Sequence, residues 1–407
     1  MHPATKYWKS LSLFALSLFL LPAVTQAQQY KQTNLVSDIV GMAPTIDPNL
    51  KNPWGLTRSS TTPAQPGSPW WIGNNNSGTS TLYDGNGNPQ NFFPDPHPDS
   101  NGNGIDSPFN NFVMVPPPGF APGTQSAPTG VVFNGSPNDF QVVPGKQAIF
   151  IFATEDGTIS GWNPRANPPA SVTNAILKVD NSDKGSANGA VYKGATSAEF
   201  DGKKYLYVTN FRSAKVEVYD TNFKRVHLGE DAFDPDGDGD RDGDDHIPHG
   251  FAPFNIQNIG GVLFVTYAKQ DAARHDPAPK GGGGFVEIFT PEGKHIGHLE
   301  HGDWFDAPWG VVWTTRDFGE FSNAIFVGNF RSGWIAAFNG FTHKFLGFVR
   351  NPDNSLMFID GLWSLTFGND ATAGPANTLF FTAGPNGEQD GLFGTITPVN
   401  GLDGDEE

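Results

Sequence analysis

YLYVTNFRSAKVEVYD at 205–220 and AIFVGNFRSGWIAAFN at 324–339 share one plan: an apolar strand, a polar turn, then a second strand. WWIGNNNSGTSTLYD at 70–84 and AIFIFATEDGTISGWN at 148–163 fit the same frame. A tight turn running into a further apolar strand precedes each of them. The openings read PWGL at 53–56, PTGVVF at 128–133, ANGAVY at 187–192, PFNIQNI at 253–259, PWGVVW at 308–313 and DGLWSLTF at 360–367. A unit of three or four short strands cannot bury its own apolar faces, so the units must pack on one another. Six small sheets around an axis make an all-β, six-bladed propeller.

Working outward, weaker outer strands are expected at NAILKVD (174–180), KHIGHLE (294–300) and KFLGFVR (344–350). The sixth unit ends at GLFGTITPV, 391–399, with no fourth strand after it. YKQTNLVSD at 30–38 reads as a strand lying before the first unit. Pairing of Gln32–Ser37 with residues 391–397 would close the ring and hide two sheet edges at once. The propeller is therefore set at 28–400, followed by an acidic tail at 401–407. Residues 1–27 read as a secretory signal peptide: Lys6 and Lys9 precede an apolar run from Leu11 to Leu21, and Thr25-Gln26-Ala27 supplies small residues for cleavage. That apolar run is short for a membrane span, so the expectation is a secreted protein, extracellular or periplasmic.

The chain has no cysteine, so disulfides cannot support the core. Its 42 Asp+Glu outweigh 25 Lys+Arg, a formal net charge of −17. No Lys/Arg cluster offers the basic face that nucleic acid or an anionic membrane would need. A monomer is expected, with an extracellular protein or a polysaccharide as ligand. The 34 Phe and 10 Trp, with 49 Gly and 34 Pro, suit short strands and tight turns rather than helices.

Two sets of residues carry candidate chemistry. DPDGDGDRDGDD, 234–245, has the alternate carboxylate spacing of a calcium loop. Asp234, Asp236 and Asp238 take its first, third and fifth places, and Gly239 the sharp turn at the sixth. Asp240 would ligate through its carbonyl, Asp242 stands ninth and Asp245 twelfth. Ca2+ is the expected cofactor there. The second set is a ring at the channel mouth. Aligning the units puts Trp54, Thr129, Asn188, Phe254, Trp309 and Asp360 in the opening turns. Asn74, Thr154, Asn210, Tyr267, Asn329 and Ala383 follow the second strands, with Glu155 one step further. Such a ring, aromatic with a few amides and acids, has the makings of a ligand site. Glu155 and Asp360 break the repeat and are its most informative members. His295, His298 and His301 are three apart; along a regular strand such residues point to opposite faces, which makes them structural.

NPWGL, APTGVVF with FIFATEDGTISGW, VTNF with VEVYD, APFNIQNI with LFVTYAKQDA, GGGFVEIFTPEGKHIG, APWGVVW and IDGLWSLTFGN with LFFTAGPN together resemble one family. It is the uncharacterised family of secreted bacterial propellers whose members often carry a Pro-Glu-Pro sorting signal at the C-terminus, with blades similar to NHL repeats. The resemblance covers roughly residues 30–397 and implies the fold without an activity; GLDGDEE at the end lacks the Pro-Glu-Pro signal. The reading is a calcium-assisted binding or scaffold module. The alternative is a hydrolase resembling calcium-dependent lactonases, with an axial metal held by Glu155, Asn188 or Asn210, Asn329 and Asp360.

Overall fold

The computed structural model describes residues 29–63, 66–91, 112–166, 173–235, 247–279 and 283–399. Six sheets of at least four strands form the blades of a β-propeller, antiparallel but for Thr45–Ile46, which pairs in parallel with Tyr30–Ser37 at the edge of blade six. Blade one holds Pro53–Thr57, Trp70–Asn74, Thr79–Tyr83 and Phe112–Met114. Blade two holds Pro128–Phe133, Phe150–Thr154, Thr158–Trp162 and Ile176–Asp180. Blade three runs Tyr192–Phe200, Lys203–Asn210, Lys215–Tyr219 and Arg225–Val226. Blade four runs Phe251–Ile259, Val262–Lys269, Phe285–Phe289 and His295–His298. Blade five runs Pro308–Trp313, Ala324–Asn329, Ile335–Asn339 and Phe345–Phe348. Blade one takes its outer strand, Phe112–Met114, from the long stretch between Tyr83 and Pro128.

Blade six contains Leu362–Phe367, Leu379–Ala383 and Leu392–Pro398, and its outer strand is Tyr30–Ser37 from the other end of the chain. The ladder runs from Tyr30 opposite Pro398 to Ser37 opposite Leu392, with one bulge between Asn34 and Val36. Ring closure by the N-terminal strand is thus as expected. Tyr30 locks it: its hydroxyl donates to Phe318 O at 3.0 Å and accepts from Phe321 N at 3.2 Å, and its ring stacks on Phe321. A hydroxyl with both roles satisfied can be buried at little cost.

Inner strands lie so close around the axis that blades one, two, three and five leave no room for a side chain at one position, Gly55, Gly130, Gly194 and Gly310. A Cβ on Gly130 would stand 2.6 Å from Ala195 N, and one on Gly310 2.5 Å from Trp363 O. That is why the opening turns read Pro-x-Gly. Apolar side chains between neighbouring sheets form the core clusters, and a separate aromatic cluster fills the axis.

The outer strands of blades four and five each carry a bulge. Phe289 faces His295 while Ile288 faces Gly297, so Ile296 is the extra residue. Phe338 faces Phe345 while Ala337 faces Gly347 in the same manner. Gly297 and Gly347 adopt φ of 155° and 150°, which glycine alone takes without strain. The bulge reverses the alternation, so residues three apart share a face. The strict alternation assumed for His295 and His298 therefore does not hold.

Candidate functional site

The register of the first two strands in each blade defines the ring at the mouth. Pro53 faces Asn74, Pro128 faces Thr154, Tyr192 faces Asn210, Pro253 faces Tyr267, Pro308 faces Asn329 and Leu362 faces Ala383. The second-strand alignment is as expected in all six. The next residue on each inner strand forms the axial ring: Trp54, Thr129, Lys193, Phe254, Trp309 and Trp363. Blades three and six depart from the sequence alignment here. Asn188 is exposed, with its N–H on Ser186 Oγ at 3.1 Å. Asp360 is exposed and accepts Asn386 N–H at 2.9 Å. Both occupy turns just before the inner strand, whose places in the ring Lys193 and Trp363 take.

Trp54, Phe254, Trp309 and Trp363 close the axis as a buried plug. Trp54 stacks on Trp363 at 3.5 Å between centroids, and Phe330 stacks on the other side of Trp363 at 4.0 Å. Trp363 Nε1 donates to Asn52 Oδ1 at 2.9 Å and Trp309 Nε1 to Lys193 O at 3.0 Å. Trp54 Nε1 finds no acceptor among the described residues. Beyond the plug, a void of about 30 Å³ is lined by Gly55, Gly130, Asn255 and Gly310.

The amides expected to face the channel are committed to their own blades. Asn74 Nδ2 donates to Thr79 and Thr81 Oγ1, and Asn210 Nδ2 to Glu217 Oε1 at 2.9 Å. Asn329 Nδ2 donates to Trp304 O and Trp334 O while its Oδ1 accepts Asp306 N–H. Asn210, Asn329, Asn188 and Asp360 are thus drawn to partners away from Glu155.

Glu155 belongs to a different group. Lys193 is fully buried, yet its ammonium contacts Glu155 Oε1 and lies 2.9 Å from Asp276 Oδ1. It also sits 5.0 Å above the Trp54 ring, an arrangement that adds cation–π attraction. Asn75 Nδ2 donates to Glu155 Oε2 at 2.7 Å, and His275 Nδ1 stands 3.1 Å from Asp276 Oδ2. Burial opposes charge on Lys193, but Glu155 and Asp276 outweigh it and hold the ammonium above the ordinary lysine value. Burial likewise works against ionised Asp276; His275 and Lys193 prevail and keep it well below the usual carboxylate range.

Glu388 completes the group with the opposite shift. Burial first, then Glu155 and Asp276, push its carboxyl up to about 7, with Lys193 and Arg331 pulling the other way. Its turn is strained: Asn386, Gly387 and Glu388 have φ of 57°, 65° and 69°. Such conformations persist where surrounding contacts hold them; Glu388 O accepts Asn76 Nδ2 at 2.6 Å. Arg331, from the corresponding turn of blade five, donates to Pro277 O and ties down the loop that carries His275 and Asp276. Asp276 held ionised beside a Glu388 pushed up to about 7 is the environment-driven split found in acid–base sites.

Sequence reasoning found Glu155 and missed Lys193, His275, Asp276, Arg331 and Glu388. The signal for Lys193 was there: Tyr192-Lys193-Gly194 matches the Pro-x-Gly frame as well as Asn188-Gly189 does. Of the proposed calcium ligands, Asp234 is described, whereas Asp236, Asp238, Asp240, Asp242 and Asp245 lie outside the described residues. Among the described residues no helix is long and apolar enough to cross a membrane.

No family model matches the chain. Among solved structures, a glucose dehydrogenase superposes with a TM-score of 0.47 at 12% identity, over 91% of this chain and 99% of that one. At that level the likeness is one of fold alone. Two relatives come from Acanthamoeba polyphaga mimivirus. "Uncharacterized protein L690" is 26% identical over 381 residues, 90% of this chain and 85% of that protein. "Uncharacterized protein R648" is 30% identical over 373 residues, 90% of this chain and 80% of that protein. The sequence resemblance had pointed to bacterial propellers, whereas these relatives are viral; the chain belongs to the protein family that includes R648 of the mimivirus.

Proposed function

We propose that the chain is a secreted propeller that binds a polyhydroxylated ligand, a polysaccharide or a glycan on another protein, at its axial mouth. One observation carries the reading. Lys193 replaces an aromatic or threonine in the axial ring and is buried between Glu155 and Asp276. Desolvating an ammonium and a carboxylate costs several kcal/mol, and apolar residues in place of the whole group would serve stability as well or better. A repeat position that bears this cost at the mouth of a propeller marks a site. Carboxylates accept hydroxyl hydrogens, and the exposed Arg331 guanidinium donates to ring or hydroxyl oxygens.

The lactonase-like axial calcium set draws no support from these contacts, because the position facing Glu155 is taken by an ammonium. A hydrolytic reading on a different footing is favoured by Glu388. A carboxyl titrating at about 7 beside ionised Asp276 has the proton inventory of a general acid working near neutral pH. Calcium at 234–245 and export through residues 1–27 stay within this proposal and rest on the sequence spacing alone.

Affinity electrophoresis against a panel of soluble polysaccharides tests the binding reading, with reducing-end release measured on the same samples. At least one polymer should retard the protein, and Asp276→Asn and Arg331→Ala should each abolish the retardation in protein that still unfolds cooperatively, with a lowered melting temperature for Asp276→Asn because it takes a carboxylate from Lys193. Retardation by none of them, or retardation indifferent to both changes, would remove the axial mouth as a glycan site.

A further inference from the structure

We propose that Glu287, His295, His298 and His301, on the outer half of blade four, form a site for a divalent transition metal of the zinc class. Glu287 is 1% exposed. His295 Nε2 lies 2.8 Å from its Oε2 and His301 Nε2 3.2 Å from its Oε1. Candidate ligand atoms of Glu287, His295 and His298 all fall within 4.8 Å of one another, and the His298 and His301 ring centroids are 4.6 Å apart. Ligand atoms sharing one tetrahedral ion at 2.0–2.1 Å stand about 3.3 Å apart. Side-chain rotations of about an ångström therefore suffice to close the set on an ion.

The backbone supplies this convergence without help from a metal. The bulge at Ile296 turns His295 and His298 to one face, as the equivalent bulge in blade five turns Phe345 and Phe348. Those two rings pack 5.2 Å apart, and the residue facing Phe348, as Glu287 faces His298, is Ala336. One blade thus fills the three positions with Ala, Phe and Phe, the next with Glu, His and His. An apolar trio already suits the fold, so packing gives no reason for three ligating groups. Blade three offers the contrast: Glu217 at the matching place is satisfied by the hydroxyls of Tyr192 and Tyr219.

Donor chemistry selects the ion. Several imidazoles and one carboxylate favour zinc, copper or nickel over calcium and magnesium, which prefer all-oxygen sets. The site is also reachable. The His295 side chain is 14% exposed and borders a surface cavity of about 330 Å³ whose wall includes Glu230, Asp231, Asp234 and Glu292. An acidic vestibule raises the local concentration of cations.

Equilibrium dialysis of untagged protein against ZnCl2 at pH 7.5, with millimolar CaCl2 present to occupy oxygen sites, tests the proposal. One zinc per chain is expected, at micromolar or lower free concentration. His295→Gln and His298→Gln should each weaken binding at least tenfold, whereas His275→Gln, at the axial mouth, should not. Co2+ titration of the parent protein gives a reading that does not depend on variants folding: intense visible d–d bands saturating at one equivalent are expected. No zinc saturation below about 100 µM together with no such bands would overturn the site, as would binding lost in His275→Gln and kept in the blade-four variants.

Discussion

Replacing Glu388 by glutamine removes a titrating carboxyl while keeping its shape. The folded-state value of about 7 against an ordinary 4.5 means that the native protein holds a proton which the unfolded chain releases earlier. Below pH 4.5 both states are protonated and the carboxyl contributes no penalty. Between pH 4.5 and 7 the unfolded chain ionises first, so stability falls as pH rises; above 7 the penalty is constant. At 1.36 kcal/mol per pH unit, it amounts to about 3 kcal/mol. With about 2.1 cal/mol/K of unfolding entropy for each of roughly 370 folded residues, 3 kcal/mol is worth about 4 °C. Glu388→Gln should therefore melt about 4 °C higher than the parent at pH 8 and within a degree of it at pH 4, by matched calorimetric scans. An equal shift at both pH values, or none at pH 8, would refute the burial of Glu388 beside Glu155 and Asp276 as the source of its raised value.

Lys193→Met should destabilise by about 3 kcal/mol at pH 8, since it leaves the Glu155 and Asp276 carboxylates facing each other without a cation. The loss should shrink at pH 5, as carboxylates freed of their ammonium take up protons more readily; urea unfolding at both pH values checks it. Tyr30→Phe strips Phe321 N and Phe318 O of their partner and should cost about 1–3 kcal/mol, visible as a lowered urea midpoint with unchanged slope. Exchanging residues 234–245 for a Gly/Ser linker should abolish calcium binding in calorimetry. Stoichiometric binding that survived would shift attention to Glu155, His275 and Asp276, whose ligand atoms also cluster.

The openings of blades one, two and five were legible because a Pro-x-Gly turn with an apolar run after it is a strong local signal, and blade four keeps the proline and the run. Blades three and six lack them. Tyr192-Lys193-Gly194 and Leu362-Trp363-Ser364 occupy the ring position, while Asn188-Gly189 and Asp360-Gly361 imitate its turn a few residues earlier. Glu155 stood out by breaking a repeat. Lys193 reads as an exposed strand residue because its burial depends on carboxylates 38 and 83 residues away. Asp276 and His275 sit in an insertion with no counterpart in other blades, and Glu388 in a left-handed turn that no periodicity announces. The histidines of blade four were misplaced by one extra residue, since a bulge is invisible to a period-two reading.

Closure by Tyr30–Ser37 has a bearing on how the molecule is made. The first strand to be synthesised waits for the last, Leu392–Pro398, before its hydrogen bonds are met. Through all of elongation the growing chain presents an open edge at each end of an incomplete ring, so blade six is the slow, long-range step of folding. Once made, the joint turns two chain ends into neighbours, and fraying at either terminus must part the ladder that Tyr30 anchors. A product truncated anywhere before residue 392 has no such joint. It would be held together only by its individual blades, with two sticky edges on view to proteases and to other copies of itself.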